Sequence, residues 1–377
     1  MKKVLGLAAA GLLATTAANA GQITVANTDI TLFGGVSAAY NAQNNDHSIA
    51  KPGFAKDGFS VNNVIVGLTK PAQDGGIGFT AAFGSWEAPT VVASSDVVNG
   101  GNTLNNNNGL NLIGHGKTTE FKPWLAFVTY KPVAGLSVDA GLLWANFGER
   151  PVTILNPHIT RGVLFTANPV VMAGARASYD AGIAKVYVGT GKVGAQLMQP
   201  LYENLGVTPK TYIEAGITGN LKQVGLPVDV GLHTYNEAGG RDIYALTAGG
   251  DLGIVSLGLE VNYFKADKAL EAVQGNSDSA WGAALCANVK PMAGIQIPVR
   301  IEYADAKKSL LIPTIADTTN SNSVWTFTIT PTYNPTKNTF IRAEVSYVNS
   351  DKKIFVNDKQ NPKDSRTTGA VELGFLF

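Results

Sequence analysis

The feature that most constrains this chain is an alternation of apolar and polar residues that continues, block after block, to its last residue. From Ile254 the chain reads IVSLGLEVNY. Val255, Leu257, Leu259, Val261 and Tyr263 fall on one face, and Ser256, Gly258, Glu260 and Asn262 on the other. PVRIEYAD sets Val299, Ile301 and Tyr303 against Arg300 and Glu302. TFIRAEVSYV sets Ile341, Ala343, Val345 and Tyr347 against Arg342, Glu344 and Ser346. Period two marks strands with unlike faces. Soluble sandwiches also alternate. Here the blocks run about ten residues between Gly/Pro/Asn/Asp turns with almost no other element, which favours a transmembrane β-barrel.

Blocks fall at 28–40, 58–70, 76–86, 118–131, 135–147, 168–180, 183–191, 211–222, 227–236, 242–251, 254–266, 278–290, 296–305, 323–333, 338–349 and 366–377. Connections alternate between short turns, such as Pro71–Gly75 and Pro132–Ala134, and long loops, such as 41–57, 87–117 and 148–167; 237–241 is an exception. That is the layout of an all-β, antiparallel up-and-down transmembrane barrel of about 16 strands, with 14–18 compatible. A closed barrel satisfies every backbone group in hydrocarbon. One this wide is expected to hold a water-filled lumen rather than a packed core. Charged residues are only 15% and mean hydropathy is +0.07, because half of each strand need not be apolar.

The first twenty residues read as an export signal. Lys2 and Lys3 precede an apolar stretch from Val4 to Ala18, and Ala18-Asn19-Ala20 fits a cleavage site. The expected organisation is a signal peptide, 1–20, and a barrel, 21–377, in the outer membrane of a Gram-negative-type cell. After residue 20 no apolar run reaches the length of a spanning helix.

Lys+Arg 29 against Asp+Glu 28 excludes a strongly basic nucleic-acid binder. The single cysteine, Cys286, excludes an intrachain disulfide or a Cys-rich zinc site, and its parity places it on the lumen face. His47, His115, His158 and His233 show no ligand spacing, and the glycine-rich pieces Gly189–Gly194 and Gly249-Gly250 lack the Lys-Ser/Thr of a phosphate loop. No metal, cofactor or catalytic site is expected. An outer-membrane enzyme would need a His/Ser/Asp cluster near one rim.

Parity points Asp139, Arg176, Lys185, Glu214, Asp229, Glu260, Lys290, Arg300, Glu302, Arg342, Glu344 and Glu372 inward as candidate pore-lining groups. A wall charged with both signs steers hydrated solutes, although charge also simply avoids lipid. Arg300/Glu302 and Arg342/Glu344 could pair with each other. Of the long loops, 87–117 is apolar first and then Asn-rich at Asn105–Asn108, and reads as a polar crown. Loop 148–167, stiffened by Pro151 and Pro157 and carrying Glu149, Arg150, His158 and Arg161, is the better candidate to fold into the lumen. Trp86, Trp124, Tyr130, Trp144, Tyr179, Tyr212, Tyr235, Trp281, Tyr303, Trp325 and Tyr333 lie near block ends, where interfacial girdles belong.

The last strand, RTTGAVELGFLF, puts Val371, Leu373, Phe375 and Phe377 on one face and ends on Phe. It resembles the terminal strand of outer-membrane proteins, which implies that Phe377 is read by the barrel-assembly machinery. Two further segments carry a family resemblance. Residues 58–84 have an Asn near a strand start, then a Lys-Pro turn and a Gly-rich strand. Residues 143–180 carry Phe147-Gly148, Asn156-Pro157, Thr160-Arg161, Leu164-Phe165, Pro169 and Gly174-x-Arg176-x-Ser178-Tyr179. Both resemble the OmpL-like β-barrel porin family. The resemblance implies an outer-membrane pore and names no solute; the reading adopted is a non-enzymatic porin, surrounded by lipid, passing ions or small hydrophilic solutes by passive diffusion. By analogy with general porins it would form a homotrimer. The alternative is an adhesin or structural envelope protein whose barrel is plugged.

Overall fold

The computed structural model describes residues 23–24, 29–47, 57–86, 89–92, 122–150, 153–193, 202, 206–274, 277–315 and 320–377. Sixteen long strands dominate. The first eight are β1 Thr31–Gln43, β2 Asp57–Lys70, β3 Gly76–Trp86, β4 Lys122–Val133, β5 Leu136–Trp144, β6 Val171–Asp180, β7 Ala184–Lys192 and β8 Thr211–Asn220. The second eight are β9 Val228–Glu237, β10 Arg241–Asp251, β11 Val255–Ala266, β12 Ser279–Met292, β13 Ile295–Lys307, β14 Asn322–Ile329, β15 Thr339–Ser350 and β16 Ser365–Leu376. Thr332–Tyr333 prolongs β14 beyond Pro331.

Each strand pairs antiparallel with its neighbours in sequence, and β16 pairs with β1 from Gly35↔Leu376 to Gln43↔Thr368. The sheet is therefore closed and has no free edge. Every expected block coincides with a strand, with ends displaced by a few residues. Expected residues 1–20 lie outside the described residues, as do Asn105–Asn108 and His115.

The two faces differ as the alternation requires. Outward side chains such as Val345, Val371 and Leu373 are half exposed or more, while Arg342, Glu344 and Glu372 on the other face are buried. Outward aromatics stack at the long-loop end, with Trp281, Tyr303 and Trp325 at centroid spacings of 5.2 and 4.8 Å. Five of the expected girdle residues, however, are not on the lipid side. Trp86, Trp124, Tyr212 and Tyr235 are fully buried, and Trp144 packs with them. Trp86, Tyr212 and Tyr235 have inward parity; Trp124 sits at a register shift and Trp144 has the parity of outward Val138, and these two are covered by packing on each other and on the inner cluster at the loop end.

Rings cover glycine at four directly paired positions: Phe33 over Gly67, Tyr187 over Gly216, Tyr212 over Gly191 and Phe340 over Gly374. A Cβ at any of these glycines would collide with the ring. A missing side chain on one strand thus seats a large one from the next and keeps the curved wall tightly packed.

The lumen is not uniformly wet. At the long-loop end the inward positions turn apolar, as at Ile243, Phe264, Val324 and Val348, and they pack against loop residues including Val91, Leu164, Leu270 and Ile312. The expectation of a purely water-filled interior therefore fails for that end. Alternation alone says that a face is not lipid-exposed; it does not say whether water or another loop covers it.

Candidate functional site

Loop 145–170 leaves at Trp144 and returns at Val171, which are cross-strand partners. A Gly, at position 148 with φ +84, turns the chain inward just after departure. The loop then runs through the barrel and touches most of its wall. Phe147 stacks on His233 of β9, with centroids 5.7 Å apart. The short 3-10 turn Thr153–Leu155 packs on β1 and β2. Asn168 reaches Glu260 and Asn262 of β11 at 2.8 and 2.9 Å.

Between these points, wall carboxylates hold the loop's backbone. Glu344 of β15 accepts from the amides of Ile159 at 2.6 Å and Thr160 at 2.9 Å, and from the Thr160 and Thr330 hydroxyls. Glu302 of β13 accepts from the amides of Val163 at 3.1 Å and Leu164 at 3.5 Å, and from Thr326. Glu149, within the loop, takes the Gly162 amide through both oxygens at 3.2 Å. Arg300 binds this set together, lying 2.9 Å from Glu149, 3.3 Å from Glu302 and 3.0 Å from the Thr160 carbonyl. A Cβ at Gly162 would strike the Glu302 carboxylate. Charge-assisted bonds of this kind are roughly twice as strong as neutral ones.

Other wall charges are also paired. Arg342 donates to Glu372 at 2.6 Å and to the Asn156 carbonyl at 2.6 Å. Its partner is therefore on the adjacent strand, not Glu344. Asn62 adds a third contact to Glu372, at 3.1 Å. It can do so because the β1–β2 register skips one residue between Ser37 and Ala38, so Asn62 and Asn63 are both buried on the inner side. Arg176 of β6 meets Glu214 of β8 at 2.8 Å although β7 lies between them. The β7 residue paired with both is Gly189, which leaves the space open. Lys290 pairs with Asp251 at 3.0 Å near the short-turn end, and Asp229 with Lys222 at 3.9 Å. Thr129 donates to Asp139 at 2.6 Å. Lys185 lies in the field of Asp139, Asp180 and Arg176.

The loop's own titratable groups respond to this packing. His158 is buried and bonded to Thr330 at 2.7 Å, with Glu344 3.9 Å away. Burial, followed by the nearby guanidinium groups of Arg300, Arg161 and Arg342, pushes its pKa well down, so it stays neutral. It lies with the loop inside the barrel, packed away from solvent. Burial also lowers Arg161 to about 10, and burial with Arg176 nearby lowers Arg150 to about 10. Arg161 is tied to the carbonyls of His158 and Ile159, both at 2.7 Å.

Loop 87–117 also behaves differently from expectation at its start. Pro89–Val92 enters the barrel, where Arg161 bridges the residues on either side of Thr90, accepting from Val91 N at 2.9 Å and donating to Pro89 O at 2.7 Å. Val91 and Val92 are fully buried. Their apolar side chains gain more from the interior than from a polar crown. Arg366 of β16 donates to the Val92 carbonyl at 2.9 Å.

Cys286 is buried opposite Arg300, and Phe377 exchanges backbone bonds with Gly34 at 2.9 and 3.0 Å where the first and last strands meet. No cluster of His, Cys, Asp or Glu among the described residues could hold a metal ion. Sequence reasoning missed Asn62, Asn168, Thr330 and Gly162. Each is short and uncharged, and only the path of the loop gives it a partner. The motif residues at 143–180 are the legible signal: Phe147, Asn156, Thr160, Arg161, Leu164 and Arg176 all take part in seating the loop or bracing its root.

The architecture is shared with solved porins at low identity, which establishes the fold alone. OmpF of Salmonella typhi aligns with TM-score 0.62 at 11% identity, covering 95% of this chain and 100% of its own. An anion-selective porin from Comamonas acidovorans gives 0.60 at 13%, covering 92% and 99%. The outer-membrane channel DcaP of Acinetobacter baumannii gives 0.58 at 15%, covering 95% and 100%. No curated protein matches the chain. Residues 29–377 match the family described as Putative beta-barrel porin-2, OmpL-like, and the chain belongs to that family of outer-membrane β-barrels.

Proposed function

We propose that the barrel is a passive outer-membrane channel for ions and small hydrophilic solutes, narrowed by loop 145–170. The observation that carries this reading is the loop's seat: a long segment drawn into a closed barrel and fixed there by Glu302, Glu344 and Arg300. Beside it Arg150 and Glu260 remain partly exposed. A fixed constriction bearing both signs of charge sorts hydrated solutes by size and charge. The short turns would face the periplasm and the long loops the outside. Cleavage before Gly21, assembly through the Phe377 end and association as a trimer accompany this proposal.

The apolar packing at the long-loop end favours a second reading, a closed barrel that serves as an envelope or adhesion scaffold. Reconstitution into a planar bilayer separates the two. Stepwise current is expected from a channel, and its absence from folded, heat-modifiable protein would favour the scaffold.

A further inference from the structure

Most charges at the level of the loop are already cancelled within the protein. Arg176 belongs to Glu214, Arg342 to Glu372, and Arg300 to Glu149 and Glu302. Glu344, bonded to loop amides, and Arg161, bonded to loop carbonyls, keep their charge but are fully buried against the loop. A charge held within hydrogen-bond distance of its opposite contributes a short-range dipole, not a field that reaches across a lumen.

Among the described residues at this level, two partly exposed groups lack a partner of opposite charge. Glu260 of β11 receives the amides of Asn168 at 2.8 Å and Asn262 at 2.7 Å, both on the same oxygen, Oε1. No cation pairs with it among the described residues, and it is partly exposed. Arg150 of the loop lies 4.9 Å over the Trp144 ring and donates one bond, to the Ala145 carbonyl at 3.0 Å. No carboxylate pairs with it among the described residues, and the charged group that acts on it is another cation, Arg176. It too is partly exposed. Glu260 is fixed on β11, while Arg150 is fixed at the β5–β6 root of the loop, about a third of the way round a sixteen-stranded wall.

We infer that Arg150 and Glu260 are the pair that sets the charge selectivity of this channel, one uncompensated cation and one uncompensated carboxylate on separate sides of the constriction. The inference rests on the channel reading above. It assigns the favoured solutes a class: small ions of either sign, and zwitterions able to turn an anionic end to Arg150 and a cationic end to Glu260. The ten other wall charges singled out by strand parity, apart from Glu260 and the more distant Lys185, hold structure or sit near the short-turn end.

The test is reversal potential across a salt gradient for Glu260→Gln, Arg150→Gln and the double variant in reconstituted full-length protein. Glu260→Gln should shift the permeability ratio toward anions and Arg150→Gln toward cations, each by up to roughly tenfold in dilute salt and less in concentrated salt. The double variant should return toward the parent value. As an independent check, Glu260→Cys in a Cys286→Ala background should regain cation preference with a negatively charged thiol reagent and not with a positive one. Conducting channels in which both single variants leave the ratio unchanged, or shift it the same way, overturn the inference. A folded parent protein that never conducts overturns the channel reading instead.

Discussion

At the scale of single residues, the informative side chains are those that hold the loop. Glu344 accepts two backbone amides and two hydroxyls. Glu344→Gln keeps the shape but removes the charge and turns one acceptor into a donor aimed at donors. Losing charge-assisted bonds in a buried site should cost about 2–3 kcal/mol and loosen the loop. The expected readout is a lower temperature for the heat-modifiability transition together with noisier current; an unchanged transition would mean that the loop is held elsewhere. Gly189→Ala inserts a methyl between Arg176 and Glu214 and should cost about 1–3 kcal/mol. Arg176→Met in the Gly189→Ala background should then add little more, because both changes remove the same contact. The sequence shows Arg176 and Glu214 as inward charges. It does not show that a glycine between them makes them partners, because that depends on which strands are neighbours.

At the scale of strands, alternation was nearly sufficient. It fixes the inward and outward sets on β11, β13, β15 and β16, and turn chemistry locates their ends to within a few residues. It could not identify the skipped residue at Asn62, since a bulge changes parity within an otherwise regular block. Val345 is outward and 52% exposed. Val345→Arg should destabilise the barrel by about 2–4 kcal/mol if the site is near the bilayer centre. Arg342 is not the dispensable wet charge that parity alone suggests. Arg342→Ala leaves Glu372 buried without its cation and the Asn156 carbonyl without its donor. A loss on the order of 3 kcal/mol is expected, with partial recovery in Arg342→Met/Glu372→Gln. Denaturant midpoints for the three variants would decide this, and equal stability of Arg342→Ala and the parent would refute it.

For the whole molecule, acid is the natural stress. His158 has a lowered pKa in the seated loop against an ordinary value of 6.5 when released. A group whose folded pKa is depressed supports the folded state above its unfolded value and withdraws that support as pH falls. Seating should therefore be firm above about pH 6.5 and weaken progressively below it. Charging His158 would place a fourth cation beside Arg161, Arg300 and Arg342, with Glu344 the anion within ion-pair distance among the described residues. The measurement is the unfolding midpoint from pH 8 to 4.5, where His158→Asn should flatten the His158 part of the slope; an identical slope in the variant would remove His158 from the response. The sequence shows His158 on an inward-folding loop and Arg300 and Arg342 as inward charges, but not that they meet. The packed long-loop end and the entry of Pro89–Val92 arise from contacts between segments far apart in the chain, which periodicity does not encode.

One consequence concerns the order in which the molecule can be put together. The loop comes from the middle of the chain, yet Asn156 binds β15, the Thr153–Leu155 turn rests on β1 and β2, and Asn62 reaches across to β16. Its seat does not exist until the first and last strands have met. The loop is thus the final fitting, a clasp across the join where the cylinder is zipped shut. Shortening it should do more than widen the passage. It should leave that join slower to close and quicker to reopen, so that immature, protease-sensitive sheets accumulate before finished barrels do.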